Sequence, residues 1–152
     1  MARQTWQDRR RVLLGMVTLP ALAAAGRATA ADERPLAVID QKALAEPWAA
    51  AEFSFEIDGE RVPGIVVKLP GERWYASSLI CPHAKCVAKY FRDVTVAQDT
   101  FDVAAKNPVL GCPCHFSVFD LANGGKVIAG PAPNPPQQFT VEVRDGKVFV
   151  GK

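Results

Sequence analysis

From Glu52 onward the apolar and polar residues alternate as they do in β-strands. Phe53, Phe55 and Ile57 are separated by Ser54 and Glu56, and Asp58-Gly59 then offers a tight hairpin turn. Ile65 to Leu69 is rich in β-branched residues and stops at Pro70-Gly71, and Trp74 to Ile80 forms another extended run. Near the C-terminus, Phe139-Thr140-Val141-Glu142-Val143 alternates, Asp145-Gly146 turns, and Lys147 to Val150 returns. Short strands with regularly spaced turn signals predict an all-β fold, a small antiparallel β sandwich or barrel. Phe53, Phe55, Ile65, Val67, Val141 and Val143 are the expected core residues. Leu36 to Ala51, Ala-rich and containing Pro47, is compatible with an edge strand followed by a short helix or turn, and the pattern does not choose.

A different pattern precedes this. Arg9-Arg10-Arg11-Val12-Leu13-Leu14 fits a twin-arginine signal, with an apolar run from Val12 to Ala25 behind it. Ala28-Thr29-Ala30 then forms a small-x-small cleavage site, to be cut before Ala31. Residues 1–30 are therefore expected to be an export signal, 31–51 a linker or N-terminal extension, and 52–152 the functional domain. An uncleaved inner-membrane anchor facing the periplasm is the alternative. The apolar run is short of the roughly 20 residues that span a bilayer, which favours cleavage into the periplasm.

Cleavage changes the charge. Residues 1–30 hold five Arg and one Asp, so removing them takes 18 basic and 16 acidic residues to 13 and 15, a net of −2. A chain of that balance carries no case for nucleic-acid binding.

Between the strand patterns lie two short boxes, Cys81-Pro82-His83-Ala84-Lys85-Cys86 and Cys112-Pro113-Cys114-His115-Phe116-Ser117. They contain all four Cys and both His of the chain. Each box supplies a Cys and a nearby His, leaving Cys86 and Cys114 over. Two Cys and two His are the ligand set of a [2Fe–2S] centre with thiolates on one iron and imidazoles on the other. A structural zinc site pairs like ligands at longer spacing, so a zinc-stabilised, non-redox binding module is the weaker reading. Two plain disulfides leave the placement of both histidines unexplained. A thioredoxin-like site needs two residues between its cysteines, and Cys112 and Cys114 have one.

At these residues the chain resembles the Rieske iron–sulfur proteins, in the subgroup whose cluster-binding loops are joined by a disulfide. The resemblance runs from about Glu52 to Val150 and is specific in the boxes. It implies one [2Fe–2S] cluster held by two loops at one end of the β scaffold, with Cys81 and Cys112 on the inner iron and His83 and His115 on the outer one. It also implies a Cys86–Cys114 disulfide, which persists in an oxidising compartment. Ser117 matches the position whose hydroxyl donates to a cluster sulfur. Phe119 stands where high-potential members often carry Tyr, so an intermediate potential is expected within the family range of about −150 to +300 mV. Gly130-Pro131-Ala132-Pro133 resembles the proline loop that covers the cluster, with Gly130, Pro131 and Pro133 as lid residues.

Three departures stand out. Ala84-Lys85 replaces the more usual Leu-Gly, which puts a Gly-type turn in doubt. Phe116 replaces a Gly that commonly follows the second His, so that Cys-Pro-Cys-His-Phe-Ser looks most like arsenite oxidase small subunits and next like cytochrome bc subunits. Finally, 28 residues separate His83 from Cys112, and the excess around 92–108 reads as a surface insertion in preference to a partner-docking loop. No nucleophile or catalytic base is visible, so the implied role is single-electron transfer to a redox partner. That partner would be a molybdenum-enzyme large subunit or a cytochrome, with quinol as donor in the bc-type alternative and membrane contact only if the leader stays uncleaved.

Overall fold

The computed structural model describes residues 34–152, and the leader read at 1–30 lies outside them. Among the described residues every strand pairing is antiparallel, in three sheets. The middle sheet is the meander β2 (Ala50–Ile57), β3 (Glu60–Leu69) and β4 (Arg73–Ser78). Its turns fall where the sequence put them. Asp58 and Gly59 take φ values of 52° and 81°, and Gly71 and Glu72 take 74° and 56°. These left-handed pairs match the twist of the strands they join.

One sheet packs on each face of this meander. β1 (Ala37–Asp40), β10 (Lys147–Gly151) and β9 (Thr140–Arg144) cover one side, with β9 at the edge. Phe55, Val66, Ala76, Phe139, Val148 and Val150 fill that interface. β5 (Lys89–Phe91), β6 (Val109–Gly111), β7 (Val118–Asp120) and β8 (Lys126–Ala129) cover the other, over Ile65, Val67, Leu69, Tyr75, Leu110 and Phe119. Successive residues of β3 thus serve opposite cores, and Ile65, Val66 and Val67 are all at most 1% exposed. A strand buried on both faces reads as a continuous apolar run, not an alternation.

Four points differ from the sequence reading. Residues 34–51, read as part of an extension, supply β1 and a 3-10 turn (Gln41–Leu44), and Leu44 of that turn is fully buried. Phe53 and Val141 are only half-buried. Val143, near the end of the edge strand β9, is not core: it is 37% exposed and lies outside the cluster that Val141 packs against. The insertion is not a bare surface loop either. It folds into α1 (Val94–Phe101), whose Ala97 and Phe101 join Ala105, Val109 and Val118 in a third apolar cluster on the outer face of the β5–β8 sheet. The Asp93 carboxylate accepts the amides of Thr95 and Val96 to cap it, and Asp102 at φ 48° closes its end. Asp93 ahead of Val94, Ala97 and Phe101, at helical spacing, was the available signal.

Burial pushes the hydroxyls of Tyr75 and Tyr90 up to about 12 from 10.0, with Ser77 and Arg92 opposing weakly. The unfolded chain then releases these protons first. Their contribution to stability is full below about pH 10 and is lost as the pH rises towards 12. Urea midpoints falling steeply between pH 10 and 12, and less so in Tyr75→Phe, are the expected result.

Candidate metal centre

Both boxes sit on connections at one end of these layers. The first leaves β4 and re-enters through an Ile80–Val87 bridge to β5, and the second joins β6 to β7. The two follow the same backbone plan. In the first, the Cys81 amide donates to the Cys86 carbonyl at 2.8 Å and the Lys85 amide donates to the Cys81 carbonyl at 3.0 Å. In the second, Cys112 donates to Ser117 at 2.8 Å and Phe116 donates to Cys112 at 3.0 Å. Lys85 and Phe116 occupy the same place in this plan and are both left-handed, at φ 59° and 57°. The two residues that replace glycines therefore keep the glycine conformation. Each carries strain of about 1–2 kcal/mol, held by the surrounding hydrogen bonds.

This plan sorts the side chains by depth. Cys81 and Cys112 are free thiols, 1% and 2% exposed. His83 and His115 are exposed, with ring centroids 4.7 Å apart and planes at 89°. Cys86 and Cys114 form a disulfide, Cα to Cα 6.5 Å, that ties one box to the other. The sulfurs of Cys86, Cys112 and Cys114 lie within 4.8 Å of one another, but two of the three are spent in that bond. Burial pushes the Cys112 thiol up, the amides of Cys114 and His115 pull it down, and the neighbouring Cys81 thiol raises it further.

The supporting residues fall around this frame. Ser117 is fully buried, and its Oγ accepts the Ala132 amide at 3.1 Å, so its own hydrogen remains to be donated. Phe119 is fully buried in the apolar cluster that contains Cys81 and Cys112. Gly130, at φ 80°, lies so close to the second box that a Cβ would meet the Phe116 carbonyl oxygen and the Ser117 amide nitrogen at 2.5 Å. The proline segment is thus fastened to the second box, with Pro131 and Pro133 exposed and Ala132 buried between them. Gly130→Ala is expected to cost about 2–4 kcal/mol, from left-handed strain plus this collision. Gly59→Ala, with a similar φ of 81° and nothing within 4 Å, should show the strain alone. Equal drops in urea midpoint would mean that the contact contributes nothing.

What sequence reasoning missed here is the ring system behind the second box. Phe101 of α1 lies over Gly111, edge-on to Phe91 at 5.1 Å and to Phe116 at 6.0 Å.

An all-β scaffold that presents two buried thiols and two exposed imidazoles on disulfide-joined loops has the donor set of a [2Fe–2S] electron-transfer module. These residues fit such a cluster: the thiols are withheld from the disulfide, and one buried hydroxyl has a hydrogen to spare. When bound, the cluster supplies one-electron transfer at a potential set by ligand charge and hydrogen bonds. The Rieske [2Fe-2S] domain family matches residues 35–144, and the chain belongs to that family. It is 33% identical over 86 residues to the cytochrome b6-f complex iron-sulfur subunit of Chlorobaculum tepidum, covering 57% of this chain and 39% of that one. It is 37% identical over 70 residues to the cytochrome bc1 complex Rieske iron-sulfur subunit of Streptomyces lividans, covering 46% and 34%. The matched segments thus span well under half of these relatives. The soluble domain of Rieske protein II from Sulfolobus acidocaldarius shares the fold, with a TM-score of 0.55 at 21% identity over 76% of this chain and 75% of that one.

Proposed function

We propose that Cys81 and Cys112 hold the inner iron of the cluster, that His83 and His115 hold the outer iron, and that single electrons enter and leave through the exposed imidazole edges. The observation that carries this is the sorting by depth: both thiols at most 2% exposed, both imidazoles open to solvent. In this reading the chain works on the periplasmic side after twin-arginine export, as a small subunit or carrier between a partner oxidoreductase and a soluble acceptor. Phe116 and Phe119 favour a partner of the molybdenum-enzyme type, as in arsenite oxidase. A second reading, a Rieske subunit of a quinol-oxidising cytochrome complex, is favoured by the b6-f and bc1 relatives.

The test is potentiometric EPR on the protein recovered from fractionated cells. The first reading expects a periplasmic chain beginning at Ala31 and an intermediate potential. A membrane-bound chain that retains its leader, with a potential near the top of the family range, would replace it with the second. No rhombic signal after dithionite reduction would remove both.

Phe119→Tyr is expected to raise the potential. A hydroxyl donating to a cysteine sulfur favours the more negative reduced state, and about 1 kcal/mol of such preference is about 40 mV for one electron. An unchanged potential in a folded variant would show that the position only packs.

A further inference from the structure

We propose that Phe101 and Phe116 are positioning residues, through which helix α1 holds the second box, and His115 with it, in the geometry the cluster needs. Three observations converge on this. The first is the fit at Gly111, the residue before Cys112. Phe101 Cζ and Cε2 occupy the space a Cβ there would need, and Phe91 Cε2 closes it at 3.1 Å. The helix therefore touches the backbone of the box at its root.

The second is Phe116. It is 54% exposed and left-handed, so neither burial nor turn geometry calls for a large ring. At the matching place in the first box stands Lys85, which lines an open groove of about 660 Å³ between Pro82 and the β2–β3 turn. Among the described residues Phe116 has an aromatic partner and Lys85 has none: the Phe116 ring meets Phe101 at 71°. The third is the stiffness of the prop. Besides its Asp93 cap, the segment ties itself together through Gln98 Nε2, which donates to the Ala105 carbonyl at 2.7 Å. The stack Phe91–Phe101–Phe116 thus runs from β5, through the last residue of the capped helix, to the residue after His115.

The test uses the full chain carrying its cluster, with Phe116→Gly, Phe116→Tyr and Phe101→Leu. Phe116→Gly relieves backbone strain and opens no buried cavity, so the thermal midpoint of the cluster-free protein should hold or rise. An edge-to-face pair is worth about 0.5–1.5 kcal/mol, so cluster loss to a chelator should nonetheless be about 2- to 10-fold faster. The EPR g values should shift or broaden, and Phe116→Tyr, which keeps the ring, should restore both. Phe101→Leu should move the same two readouts and lower the midpoint as well. Cluster loss that follows the midpoint across all three variants, or unaltered g values and release rate in Phe116→Gly, would overturn the proposal and leave the stack as ordinary packing.

Discussion

Replacing Cys86 and Cys114 together by alanine is expected to lower the thermal midpoint by about 10–17 °C. The bond closes a loop with a sequence separation of 28, worth about 3.5 kcal/mol in the chain-entropy account. A domain of this size loses about 3–5 °C per kcal/mol. Location adds to the effect, because the bond is the covalent tie between boxes that belong to different connections. Cys114 is exposed, so a thiol reductant should reach the bond in the folded protein and reproduce the loss without mutation. Calorimetry of the oxidised, reduced and double-alanine forms checks this. A shift of under about 3 °C would mean that hydrogen bonds and packing already hold the two loops.

Cys112→Ser is expected to leave a folded protein without its iron. Serine is nearly isosteric, so the packing around the site survives. Its hydroxyl, however, does not ionise near neutral pH and cannot supply the thiolate that a cluster iron takes. Iron and acid-labile sulfide should fall to background, and the reduced EPR signal should vanish, while the far-ultraviolet circular dichroism stays that of a β protein. His115→Ala is the milder partner of this test: it removes one imidazole from the exposed side and leaves both buried thiols in place. Iron retained at wild-type level in Cys112→Ser would exclude that sulfur as a ligand.

How much of this was legible depended on whether the signal was local. Asp58-Gly59 and Asp145-Gly146 announce their hairpins because only a few residues tolerate consecutive positive φ values, and both pairs adopt them. The boxes were legible because cysteine and histidine occur nowhere else. What depended on a third layer was not. Ile65 to Leu69 could be read as a strand, but its burial on both faces follows from sheets contributed by distant segments. Val143 alternates like a core residue but lies outside the cluster that Val141, two residues earlier on the edge strand, packs against. The turn doubted at Ala84-Lys85 forms all the same, as does its counterpart at Phe116. Lys85 and Phe116 do not abolish the left-handed turns; the hydrogen bonds at each box impose the conformation on them. That they are equivalent becomes visible only once both boxes are folded.

The register of the outer sheet has a consequence for the order of events in a cell. β1 pairs with β10, Ala37 opposite Val150, so the first strand of the domain waits for the last. The meander β2–β3–β4 joins neighbours in sequence and can form as the chain emerges during synthesis, since local contacts close at little entropic cost. The sheet that backs it cannot, because its edges lie at the two ends of the domain. Until Lys147–Gly151 leaves the ribosome, Val66 and Ala76 face water on that side. Completion thus waits for β10, and a nascent chain stalled short of it presents an open apolar face to chaperones.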